Sequence, residues 1–168
     1  MNWDALGAIA ELLAAIAVIA TLAYLAAQVR FAKTAASDLS RISRADAVRE
    51  TLQTIANDPH LRKNWLNSAG LEEQYEALSL HLNTDIDGAF QLDFMCQSWI
   101  WLHWGQYSST TTDDDLEELR GLIGRFYSNP PMSIVWSESP FEKGLVEPDF
   151  IEFVNDAIQK HRSSEGTR

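Results

Sequence analysis

The run ALGAIAELLAAIAVIATLAYLAAQV, from Ala5 to Val29, holds a single ionisable residue, Glu11, in 25 positions. A helix rises about 1.5 Å per residue, so a run of this length matches a hydrocarbon core about 30 Å thick and predicts a transmembrane helix. A secretory signal has a basic start and a shorter apolar region that ends in a cleavage site. Here the start, MNWD, is acidic and the run passes without a break into a charged helical segment, so cleavage is not expected. The competing reading is a buried helix of a soluble protein, because alanine-rich hydrophobicity suits a core as well as a bilayer.

The flanks give the span a direction. Every basic residue lies after it, beginning with Arg30, Lys33, Arg41, Arg44 and Arg49, while the N-terminal flank carries only Asp4. The positive-inside rule then places the N-terminus outside and the rest of the chain in the cytoplasm. Trp3 and Tyr24 stand near the two ends, where indole and phenol rings favour the interface. Arg30 and Lys33 are the expected lipid-headgroup contacts, each attracting anionic lipid by about 1 kcal/mol when held at the surface.

Within the run, Gly7, Ala10, Ala14, Ala17, Thr21, Tyr24 and Gln28 follow a strict 3-4 spacing, and the first five are small. Lipid offers little hydrophobic drive for helices to pair, so a face that lets two backbones approach closely is what makes their packing favourable. Gly7, Ala10, Ala14, Ala17 and Thr21 thus form a candidate seam for docking on another transmembrane helix. The alternative is that small residues are simply frequent in an alanine-rich span. Glu11 flanks the seam. As an intramembrane acid it is a candidate proton site or interhelical link; if the span proper is Leu12 to Val29, about 27 Å long, it lies instead at headgroup level.

Beyond Val29 the chain reads as all-α. Residues 30–57 contain no Gly or Pro, and Leu39, Ile42, Val48, Leu52 and Ile55 recur at helical spacing, which predicts a helical stalk with a solvated charged face. Residues 58–162 follow as a helical-bundle domain: a short helix from Pro59 to about Leu66, then one long helix from Leu71 to about Tyr107 that should be the most enclosed element. A helix opens at Thr112 with Asp113, Asp114 and Asp115, acids that complement its dipole. A short helix spans Met132 to about Glu138, and a last one opens at Glu147-Pro148 with Phe150, Phe153, Val154, Ala157 and Ile158 on its core face. Residues 163–168 are expected to fray.

Composition excludes one function class. With 13 Lys and Arg against 24 Asp and Glu, a formal charge of −11, the chain lacks the clustered cations that bind nucleic-acid phosphates. Cys96 is the only cysteine, so no intrachain disulfide is possible, and its apolar surroundings predict a buried, inert thiol. His60, His81, His103 and His161 show no metal-ligand spacing. Their best local pairs, His81 with Asp85 and Trp99 with His103, are explained by surface hydrogen bonding and aromatic packing. Asp85, Asp87 and Asp93 fall within the predicted long helix and lack the register of a calcium loop. No phosphate-binding or acyl-transfer motif is present, so neither cofactor nor metal nor catalytic residue is predicted.

Trp99, Trp101 and Trp104 can be read as a ligand-pocket wall or partner hot spot, or as the domain core. Six tryptophans in 168 residues, with Trp65 also close in sequence, point to a well-packed interior.

Several stretches carry a resemblance: LGAIAELLAAIAVIATLAYLAAQVR, the aromatic FQLDFMCQSWIWLHWGQY, the acidic helix start, the Pro-containing turn before Trp136, and PDFIEFVNDAI. Together they resemble a group of small bacterial membrane proteins with one N-terminal transmembrane helix and an all-helical cytoplasmic domain. The juxtamembrane QVRFAKTAAS departs from that pattern, where a run like QxRQNT is expected. The resemblance implies fold and topology at a bacterial inner membrane, and no activity. The leading expectation is a non-enzymatic accessory or scaffold subunit of a larger membrane complex, energy-transducing, transporting or signalling. A self-assembling homo-oligomer is the alternative, and a membrane-anchored enzyme with a site between helices is the third reading. The expected partners are the lipid bilayer and other transmembrane helices.

Overall fold

A computed structural model describes residues 3–141 and 146–166, with side chains described from Gly7 onward. The side chains of Trp3 and Asp4, the outer flank inferred above, and the tail residues Thr167 and Arg168 lie outside the described residues. The described chain is all-helical, with no strand: α1 (Trp3–Asn57), α2 (Pro59–Ala69), α3 (Glu72–Leu82), α4 (Ile86–Ser109), α5 (Asp113–Tyr127), α6 (Met132–Glu138) and α7 (Pro148–Glu165). The chain divides into two units, residues 1–40 and 41–168.

The first unit consists of α1 up to Ser40. Its apolar stretch has a mean hydropathy of 2.2 in the most apolar window, and none of that window is buried. It is long and apolar enough to cross a membrane. Thr21, the one hydroxyl in the stretch before Tyr24, donates to the Ala17 carbonyl at 2.8 Å, so its polar group is satisfied within the helix itself.

The second unit is built on local stop and start signals. Asp58 caps α2, accepting from the backbone N–H groups of His60 (2.8 Å) and Leu61 (3.1 Å), with Pro59 in the first turn where its missing N–H costs nothing. Gly70 ends α2 at φ 66°, a left-handed conformation that favours glycine. The segment expected as one helix from Leu71 to Tyr107 is two. Asn83 takes φ 53° and closes α3, and Asp85 caps α4 through the Gly88 N–H at 2.7 Å. Asn is among the few residues that adopt this conformation cheaply, and Asp85 is therefore a cap rather than a mid-helix residue. Thr112 caps α5 as predicted, accepting from the Asp115 N–H. The last helix continues through Ser163 to Glu165, beyond the point where fraying is expected.

Two apolar cores fill this unit, and α4 serves both. Its N-terminal half puts Ala89, Phe90 and Phe94 against Ile55 and Ala56 of α1, Leu66 of α2, and Tyr75 and Leu78 of α3. Its C-terminal half puts Cys96, Ile100 and Trp104 among Ala45 of α1, Ile123 and Tyr127 of α5, Trp136 of α6, and Phe150 and Val154 of α7. Each large aliphatic or Phe side chain among them contributes roughly 1.5–3 kcal/mol by leaving water. Residues 41–57 are thus part of the folded unit: Ala45, Ile55 and Ala56 are core, although the sequence reads 30–57 as a helical stalk ahead of the domain. On its charged face Arg49 pairs with Asp46, at 2.9 Å.

Small residues set the closest approaches. A Cβ on Gly124 would lie 2.5 Å from the Ala157 carbonyl oxygen, so α5 and α7 pack backbone to backbone at that point, and a Cβ on Gly105 would meet the Ala45 methyl at 3.2 Å. A polar clamp joins three elements. The buried Arg62 guanidinium donates to both Asp87 carboxylate oxygens, at 2.9 and 2.6 Å, and to the Ala56 carbonyl at 2.5 Å. That hydrogen bond holds the Asp87 carboxyl below its ordinary range.

Candidate functional site

The aromatic cluster of α4 is split by the helix geometry. Trp104 is buried in the core, Trp101 is half-buried and packs edge-on to it at 5.3 Å, and Trp99 is 44 % exposed. Trp65 is likewise 44 % exposed. Trp104 and Trp136 thus lie in the core, whereas Trp65 and Trp99 stand at the surface. Successive residues of a helix lie about 100° apart, so a run of aromatics along α4 cannot all face one side.

Trp99 forms one wall of a groove of about 480 Å³ between α4 and α5. From α4 come Leu92, Met95, Cys96 and Trp99; from α5 come Leu122, Arg125 and Phe126; the turn Asn129-Pro130-Pro131 and Met132 close one end. Trp99 and Phe126 face each other at 5.4 Å between ring centres. Behind them His103 lies 5.5 Å from Phe126 and 5.6 Å from Tyr127, and Tyr127 meets Trp136 edge-on at 5.2 Å. An aromatic wall thus runs from the open groove into the core. Its geometry is the offset and edge-to-face packing that ring quadrupoles favour, which stiffens the groove.

Leu119, Leu122, Ile123 and Phe126 recur along α5 at helical spacing and form one apolar stripe. Leu119 and Ile123 are buried, but Leu122 is 52 % exposed and Phe126 36 %. The stripe is wider than the contact with α7 can cover, and that excess width was the available signal for the groove.

The groove's ionisable groups are not poised for catalysis. Burial pushes the Cys96 thiol up to about 12, so it stays a protonated, unreactive thiol at neutral pH, as its surroundings predict. His103 is enclosed, its Nδ1 3.3 Å from the Tyr127 hydroxyl, and burial together with the Arg49 charge lowers its pKa to about 4. It is a neutral core histidine. His81 pairs with neither Asp85 nor a metal set; its Nδ1 lies 3.8 Å from Glu138. Among the described residues no three His, Cys, Asp or Glu side chains converge on a point that could hold a metal.

A second polar feature was missed in the sequence. Asp93 is fully buried and accepts from the Tyr75 hydroxyl (2.5 Å), the Ser139 hydroxyl (3.0 Å) and the Gln97 amide (3.2 Å). Burial raises its pKa, opposed by these three donors. The network ties α3, α4 and the segment after α6 together. An acid inside the apolar string FQLDFMC was the signal.

The remaining candidates lie on the first unit. Gly7, Ala10, Ala14, Ala17 and Thr21 are exposed, as are Glu11, Arg30 and Lys33, and a Cβ added to Gly7 would meet nothing within 4 Å. No family model, curated protein or solved structure matches this chain.

Proposed function

We propose that this protein is a single-span accessory subunit of a larger membrane complex, N-terminus outside and second unit in the cytoplasm. In this reading α1 docks on neighbouring transmembrane helices through Gly7, Ala10, Ala14, Ala17 and Thr21. The observation that carries it is the exposure of the apolar stretch: Leu12, Ile16, Ile19, Leu22 and Val29 are all more than half exposed. Apolar surface of that extent needs lipid or protein around it, and it is the opposite of the buried-helix alternative. The basic flank at Arg30 and Lys33 supports the direction, and the small-residue seam supports a protein neighbour.

The test has two parts. Cysteines placed at residues 2 and 167 and exposed to a membrane-impermeant thiol reagent should label from opposite sides of the membrane; labelling of both from one side removes the span. A photo-crosslinking side chain at Ala14 should then give an adduct with a different protein in the native membrane. Adducts with lipid alone would remove the subunit reading.

One observation favours self-assembly as a second reading. The 3-4 register of the seam continues past Gln28 through Phe31, Ala35, Asp38 and Ile42, apolar at three of these four positions, with Phe31 72 % and Ile42 40 % exposed. Replacing Ala10, Ala14 and Ala17 together by Leu should abolish chain-to-chain crosslinks if identical seams pair; unchanged crosslinking discards the homo-oligomer.

A further inference from the structure

We infer that the groove between α4 and α5 is a binding site for a single-chain anionic amphiphile, a long-chain fatty acid, with its tail along Trp99, Phe126, Met95 and Leu122 and its carboxylate at Arg125. The inference rests on the second unit alone and stands wherever the first unit resides.

The groove is open and apolar, and its volume of about 480 Å³ falls within the roughly 300–1,000 Å³ typical of small-molecule sites. Its walls combine rigid aromatic faces with Met95, whose unbranched, polarisable side chain adapts to an irregular tail. Four large apolar side chains, Met95, Trp99, Leu122 and Phe126, remain between 36 % and 52 % exposed there, a local cost that an apolar occupant removes.

Charge selects the head group. Among the described residues Arg125 is the only charged side chain lining the groove, in a chain of net charge −11. On α5 and α7 two other cations are engaged, Arg120 with Glu117 and Asp156, and Lys160 with Glu117. The Arg125 guanidinium makes no ion pair or hydrogen bond with any described residue. A planar cation left unpaired beside an apolar trough complements a carboxylate on an apolar chain, which it can hold through two parallel N–H bonds. Asn129, at the same end, donates its side-chain amide to the Arg125 carbonyl at 2.8 Å. A polyphosphate or nucleotide would require several donors where the groove supplies one cation.

The full chain in phosphatidylcholine nanodiscs is exposed to a diazirine-bearing C16 fatty acid, irradiated, and the adducts mapped by peptide mass spectrometry. Adducts are expected on the α4 and α5 residues of the groove, competed by unlabelled palmitate. They should fall about tenfold at a fixed probe concentration in Arg125→Gln and with the corresponding C16 alcohol. Leu122→Glu, which sets a like charge in the groove, should suppress them further. Both positions are exposed on the surface, and near-UV circular dichroism of the tryptophans reports that each variant keeps its packing. Equal labelling by acid and alcohol overturns the inference, as does labelling of Arg125→Gln at the level of the unchanged protein. Adducts confined to α1, chain-to-chain crosslinks at Trp99 that exclude the probe, or loss of groove labelling when phosphatidylglycerol is added would each assign the groove to another occupant.

Discussion

The stretch from Gly7 to Ser40 and the unit from Arg41 onward contain the same kinds of apolar side chain and dispose of them in opposite ways. In the first, Ile19 and Val29 are each 67 % exposed and the only partly covered side chain is Asp38. In the second, Phe90, Ile123, Phe150 and Val154 are fully buried. Helix formation satisfies the backbone in both, so hydrogen bonding does not distinguish them. What differs is where the apolar surface goes: one unit buries it within the chain, and the other leaves it to its surroundings. The groove beside Trp99 is a small patch of uncovered apolar surface inside the unit that otherwise buries it.

Truncating a core side chain should test the comparison most severely. Phe90→Ala, which opens a cavity beside Tyr75 and Phe94, should cost about 3–5 kcal/mol of unfolding free energy in a denaturant titration followed by tryptophan fluorescence. Membrane retention in an alkaline carbonate wash should be unaffected. Ile16→Arg is the converse. It should lower membrane retention, with an insertion penalty of about 2.5–3.5 kcal/mol at mid-span, and leave the denaturant midpoint of the second unit where it was. A variant that moved both readouts would merge the two regions.

The next effect separates enclosed from exposed titratable groups. The unfolded chain takes up a proton at His103 near pH 6.5, whereas in the folded chain uptake waits until about 4. Its contribution is therefore complete above pH 6.5, falls as the pH drops through that window, and levels off below 4, amounting to on the order of 3 kcal/mol. His103→Gln should flatten this part of the stability profile relative to the unchanged protein; parallel profiles would show that the imidazole is solvated. The smallest change is at a helix crossing. Gly124→Ala forces α5 away from the Ala157 carbonyl and should cost about 1–3 kcal/mol in the same titration. Gly7→Ala, with open space around it, should cost nothing there.

The parts of the molecule that could be read in advance are those fixed by residues near one another in the chain. The apolar run, Asp58-Pro59 at the start of α2, Thr112 ahead of three acids, and Glu147-Pro148 at the start of α7 each act within one or two helical turns, so their positions follow from sequence. The break at Asn83 was missed because Leu78, Leu82, Ile86 and Ala89 keep a helical spacing across it, and spacing alone cannot report one residue turning left-handed. Only the packed structure decided which faces of α4 and α5 are covered, that Arg62 reaches Asp87, that three donors converge on Asp93, and that Arg125 stands unpaired beside an open apolar groove. Each depends on residues brought together from separate helices, and helix periodicity says which side chains share a face without saying what that face will meet.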